Sequence, residues 1–122
     1  MKILQLGKFY PIRGGVEKVM WDITNGISAR GIDCDMLCAK LGKGEVIRLN
    51  PHCRVICVPT LKKVAATMLA PAMIRWLRKH AAEYDIIHIH HPDPMAALAL
   101  FLSSYTGRVF VHWHSDILKQ QL

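Results

Sequence analysis

The sequence predicts an α/β domain built on a doubly wound parallel sheet. Short apolar or β-branched runs alternate with segments of helical periodicity along the chain, and parallel neighbours need such crossovers. The runs are close to continuously apolar, as strands covered on both faces require. At 122 residues, 52% of them hydrophobic and 20% charged, the chain is long enough for one domain with a single sizeable core.

The elements follow in order. Residues 2–7 (KILQLG) read as the first strand. From Val16 the apolar positions Val16, Val19, Met20, Ile23 and Ile27 recur at helical spacing, and Gly31 offers a C-terminal stop. Residues 32–39 read as strand two. Residues 40–51 carry Gly42, Gly44 and Asn50-Pro51 and are expected to form a loop. A short third strand covers 54–58, closed by Pro59. A basic helical segment is expected over 61–84, kinked or divided at Pro71, with Met73, Ile74, Leu77 and Ala81 on its inner face. Residues 85–91 (DIIHIHH) form strand four. Asp93 then suits an N-cap, Pro94 the first helical position and Gly107 the terminator of the next helix. Residues 108–114 form strand five.

The four cysteines fall in two pairs, Cys34/Cys38 and Cys53/Cys57. A spacing of four returns to the same face of a strand, so they read as buried core thiols. The chain begins with Met1-Lys2 and turns polar too quickly for a secretory signal. No apolar run approaches the roughly 18 residues of a membrane span, so a cytoplasmic protein is expected. The formal charge of +7 favours anionic partners. Zinc-finger spacing and RNA-binding strand signatures are both missing, which argues against nucleic acid. Lys62, Lys63, Arg75, Arg78 and Lys79 concentrate the positive charge, either as a solvated helix face or as a surface for anionic lipid.

Ligands of doubly wound sheets bind beyond the carboxyl ends of the strands, and three loops there carry polar residues. The first, GKFYPIRGGVEKV, matches neither a dinucleotide fingerprint nor a Walker loop. Its paired Gly14 and Gly15 stand before a helix, where backbone amides can meet an anion closely. The second loop carries His90, His91, Pro92 and Asp93, and the third His114, Ser115 and Asp116. Five of the seven histidines lie in strands four and five. His88 and His90 share one face, as do His112 and His114. His88 and His112 read as packed histidines. His114 is the better candidate for contact with a sugar hydroxyl or phosphate oxygen. A histidine metal site is an alternative, but Asp93 already has a capping task and there is no Glu-x-x-His pair.

Together "MKILQLGKFYPIRGGVEKV", "DIIHIHHPDPMAALA" and "VFVHWHSDI" resemble the N-terminal domain of family 4 glycosyltransferases, retaining enzymes of the GT-B fold. The likeness covers nearly the whole chain and is thinnest over residues 40–71. It implies a Rossmann-like domain, acceptor-side half of a two-domain transferase, that moves a sugar from a nucleotide-sugar donor. The acceptor would be a sugar, phosphorylated or lipid-linked, with cell-surface polysaccharide or glycolipid as product. It implies Gly14 and Gly15 at the donor phosphates and sugar, and His114 as the catalytic histidine on the donor sugar. His90, His91, Asp93, Ser115 and Asp116 would line the acceptor side. It implies no cofactor and no bound metal. It also implies a second domain, carrying a Glu-x7-Glu motif and most of the nucleotide site, beyond these 122 residues, so that the residues in hand would not transfer sugar alone. A stand-alone module binding a nucleotide or another small anion is the competing reading.

Overall fold

The computed structural model describes residues 1–10, 15–60, 62–64, 67–91 and 93–113. The first strand β1 spans Lys2–Tyr10 and leads to helix α1, Gly15–Ala29. Next come β2 (Asp33–Leu41), β3 (Glu45–Asn50) and β4 (Cys53–Thr60). A small antiparallel hairpin, β5 (Lys62–Val64) and β6 (Thr67–Leu69), precedes α2 (Pro71–His80) and a 3-10 turn at Ala81–Glu83. The chain continues through β7 (Ile86–His91), α3 (Pro94–Leu102) and β8 (Arg108–Trp113).

The main sheet has the order β3-β4-β2-β1-β7-β8. All neighbours are parallel except β3, which runs antiparallel to β4. Alternate residues of the strands supply two cores. Leu4, Leu6, Leu37, Ile56, Ile87 and Ile89 meet Met73 and Leu77 of α2 and Met95, Ala96 and Ala99 of α3. On the opposite face Met20 of α1 packs with Met36, Cys38, Val55 and Cys57. The sheet is therefore wound on both sides, as its apolar strands predict. The sheet cysteines are all free and buried, with Cys38 Sγ 3.7 Å from Cys57 Sγ across the β2/β4 pair.

Three local expectations are corrected. The stretch 40–51 is not all loop, because β3 lies within it and forms the outer strand. Ile47 and Leu49 alternate inward onto the α1-side core, a period-two signal masked by the flanking turn residues. Those residues end the strand instead of excluding it. Gly42 takes a φ of +89°, and Asn50 Oδ1 accepts a hydrogen bond from the His52 amide at 2.8 Å. The basic segment from residue 61 is not one helix either. Pro71 does not kink a helix but begins one, since its missing N–H falls where no intrahelical partner exists. Finally, α3 ends at Leu102, well before Gly107. Ser104 adopts the left-handed conformation there (φ 59°), and Ser103 bonds back to the Leu100 carbonyl.

A buried polar cluster ties the amino ends of β2 and β4 to the turn before β7. The Asp35 carboxylate accepts from the Arg54 amide and guanidinium, both at 2.9 Å, and from the Tyr84 hydroxyl at 2.6 Å. Burial pushes the Asp35 carboxyl up, but these hydrogen bonds and the Arg54 charge outweigh it and hold the group below its usual range. Burial and the neighbouring Asp35 carboxylate push the Tyr84 hydroxyl well up, so it stays protonated and donating.

Candidate functional site

The strand order reverses between β1 and β7: the chain goes from β1 outward through β2 and β4 on one side, then returns to place β7 and β8 on the other. Such a reversal opens a crevice at the carboxyl edge. All three polar loops named above leave strands at or beside it. Residues 11–14 connect β1 to α1, the His91–Asp93 corner leaves β7, and residue 114 follows β8.

Gly7 marks the reversal. It is buried within β1 at a φ of +136°, where side-chain-bearing residues are strained. A Cβ there would stand 3.1 Å from the His90 carbonyl oxygen and 3.5 Å from Asp93 Oδ2. The β1/β2 register also shifts between Leu6 and Phe9. The chain thus bends past the end of β7 at a point only glycine fits. The signal for Gly7 was a glycine interrupting an otherwise apolar strand.

Gln5 is a second site residue with only a weak signal in the sequence. Fully buried between Leu4 and Leu6, it turns to the opposite face and accepts at Oε1 from His90 Nε2 at 2.7 Å. Its amide nitrogen lies 3.9 Å from Cys34 Sγ. A polar side chain in the middle of an apolar strand was its signal.

His90 is wholly buried, on one face of β7 with His88. The parallel register pairs His90 with His112 of β8, so three imidazoles gather on the α1 side of the sheet. Their ring centroids are 4.3 Å apart for His88–His90, 5.5 Å for His88–His112 and 5.2 Å for His90–His112. His88 and His112, expected as packed histidines, are half-buried, and their clustering with His90 has no signal in the sequence beyond the shared strand face.

Asp93 is the N-cap that the sequence predicts. Its Oδ1 accepts from the Ala96 amide at 3.0 Å, and Pro94 occupies the first helical position. That bond fixes the corner after β7 beside Gly7. Gly15 opens α1, and His91 closes β7 opposite Trp113. Gly14, His114, Ser115 and Asp116 lie outside the described residues. Among the basic candidates, Lys62 and Lys63 belong to the hairpin, whereas Arg75, Arg78 and Lys79 are exposed on α2. Arg78 Nε also donates to the Leu102 carbonyl at the end of α3 (3.1 Å). A cavity of about 290 Å³ lined by Lys2, Asp33, Asp35, His52 and Arg54 opens at the amino edge of the sheet, away from the reversal. Among the described residues no helix is long and apolar enough to cross a membrane.

A doubly wound sheet with its strand order reversing between β1 and β7 is the architecture of the Rossmann-like domain in GT-B transferases. Over its full length the chain superposes on 35% of a sucrose-phosphate synthase from Thermosynechococcus elongatus with a TM-score of 0.62 at 19% identity, a likeness of fold. The chain belongs to Glycosyltransferase Family 4, whose family model matches residues 13–121. It is 30% identical to O-antigen chain mannosyltransferase C of Escherichia coli across 99% of its own length and 33% of that protein. It is 26% identical to D-rhamnosyltransferase WbpZ of Pseudomonas aeruginosa across 100% of its length and 32% of that protein. The chain therefore spans about a third of the curated relatives it matches.

Proposed function

We propose that this chain is the acceptor-side domain of a transferase that moves a hexose or deoxyhexose from a nucleotide-sugar to a growing saccharide, with retention at the transferred carbon. The observation that carries the reading is that β1, β7 and β8, the strands from which the three polar stretches follow, lie side by side at the reversal in a chain of this family. The relatives named for mannosyl and rhamnosyl transfer support the sugar class, and the O-antigen chain named in one supports a polysaccharide product.

Departure of the nucleotide develops negative charge on the diphosphate and positive charge on the sugar. Donors already aimed at that diphosphate lower the barrier without reorganising. In this reading the backbone at Gly14 and Gly15 approaches the phosphates at the amino end of α1, where unpaired amides and the helix dipole favour an anion. His114 contacts the donor sugar and steadies the charge that forms there. His90, His91, Asp93, Ser115 and Asp116 belong to the acceptor wall, His90 as its buried support and Asp93 by holding the corner through its cap. The chain's own amides and histidine supply the stabilisation, and the transfer step uses no cofactor. A second domain outside these residues completes the nucleotide site, so the 122 residues alone bind nucleotide weakly and transfer nothing.

The acceptor is lipid-linked in this reading, and exposed Arg75 and Lys79 of α2, with Lys62 and Lys63 of the hairpin and Arg78, hold the protein against an anionic membrane from the cytoplasmic side. Sedimentation with anionic and neutral vesicles tests this part. Equal, negligible binding to both removes it.

The transfer reading is tested by His114→Ala in the whole protein, assayed with nucleotide-activated mannose and rhamnose. Turnover should fall at least tenfold, by loss of a transition-state contact, while the circular dichroism spectrum stays unchanged. Undiminished turnover removes the role from His114. No transfer by the whole parent protein with any nucleotide-sugar offered would overturn the reading itself.

A further inference from the structure

We propose that His88, His90 and His112 form a binding site for a divalent transition metal, zinc foremost, which pins the outer strand β8 to β7. The site shares His90, the buried support of the acceptor wall, with the residues assigned to sugar transfer, and its own role is structural.

Three facts of the fold bring the ligands together. The period of two places His88 and His90 on one face of β7. The parallel register sets His112 directly beside His90. One ring nitrogen from each residue lies within 4.8 Å of those of the other two. A tetrahedral zinc with bonds of about 2.0–2.1 Å holds its nitrogens roughly 3.3 Å apart, so side-chain rotations of about an ångström would close the three onto one ion. Three imidazoles with a fourth position for water is an established zinc donor set, and imidazole also suits copper, nickel and iron.

The surroundings fit a metal site beyond the ligands themselves. Metal-bound histidines generally donate their second ring N–H to a carbonyl or carboxylate, which fixes tautomer and ring orientation. His90 has such a partner in Gln5 Oε1 at 2.7 Å, itself buried and placed by the strand beside Cys34. His90 forms the closed floor of the cluster, while half-buried His88 and His112 leave a way in. All three stand on strands, not loops, which limits how far they can drift apart. Among the described strands β8 pairs with β7 alone, so one ion with ligands on both would cross-link that edge.

The test uses the untagged, metal-stripped chain, titrated with Zn²⁺ by calorimetry and with Co²⁺ by visible absorption. One equivalent should bind. Cobalt should show the d–d bands of a four-coordinate nitrogen–oxygen site without thiolate charge-transfer bands. At a hundredfold excess of free zinc over Kd, Tm should rise by about 10 °C for a domain of this size. His88→Ala and His112→Ala should each weaken binding at least tenfold, and Gln5→Leu by about 10–100-fold. His88→Asn and His112→Asn serve if the alanine variants do not fold. Substoichiometric binding, thiolate bands placing the ion on the cysteines, or unchanged affinity in the His88/His112 double variant would each overturn the site. Sugar transfer does not enter the readout, so the two proposals stand or fall separately.

Discussion

Gly7→Ala should destabilise the domain strongly, whereas the same methyl addition at Gly26 should not. A residue with a Cβ at a φ of +136° carries about 1–3 kcal/mol of backbone strain. The new methyl would also stand 3.1 Å from the His90 carbonyl oxygen. That oxygen belongs to the backbone of a central strand, so β7 must shift by a few tenths of an ångström, as in mild overpacking. Together these cost about 2–4 kcal/mol, a large part of the roughly 5–15 kcal/mol that holds a domain folded. Urea unfolding followed by circular dichroism reads this directly. With a slope of about 2 kcal/mol/M, the midpoint should fall by about 1–2 M. Gly26→Ala is the matched control. It lies inside α1 with nothing within 4 Å of the added methyl and should raise stability by about 0.5–1 kcal/mol. If Gly7→Ala unfolds within about 0.2 M of the parent while Gly26→Ala behaves as stated, then Gly7 is not the tight crossing between β1 and β7.

Other outcomes follow from the same structure. Asp35→Ala should cost about 2–4 kcal/mol, since it leaves the Tyr84 hydroxyl and Arg54 without their acceptor; the loss is moderated because the Arg54 side chain is 33% exposed and water screens its charge. The Asp35 carboxyl is depressed in the folded state. Its contribution is therefore present above the unfolded carboxylate pKa of about 3.9 and is lost as pH falls through the lower folded value. Asp35→Asn should flatten the stability–pH curve in that acid window, and an unchanged acid limb would refute the assignment. Burial pushes the Cys34 thiol up to about 12, so hardly any thiolate exists near neutral pH. A maleimide tag followed by mass spectrometry should leave Cys34 unmodified in the native chain and modify it in denaturant; rapid native labelling would contradict its burial. His114→Ala and the metal titration complete the set.

What could be read in advance depended on how local the cause was. The Asp93 cap, Pro94 at the first helical position and the buried cysteine pairs were legible because each rests on a spacing of a few residues. The strand β3 was hidden because its flanking Gly42 and Asn50-Pro51 carry the composition of a loop, and only pairing with β4 turns Ile47 and Leu49 inward as an edge. Pro71 was misjudged for a related reason: a proline's effect depends on whether it stands inside a helix or at its first turn. In the site, the loops after β1, β7 and β8 were identifiable one at a time as polar stretches after strands.

The sequence by itself determined the fold class, because hydrophobic periodicity requires strands buried on both faces and helices to bury them. It also determined family membership, through motifs placed after the proper strands. Tertiary structure alone decided which strands became neighbours. Residues 5 and 90, or 90 and 112, share no local signal; they meet because β7 inserts between β1 and β8. Strand order and register are set by the summed burial of the whole sheet. The φ of Gly7, the Gln5–His90 hydrogen bond and the three-histidine cluster arise only once that sheet has closed.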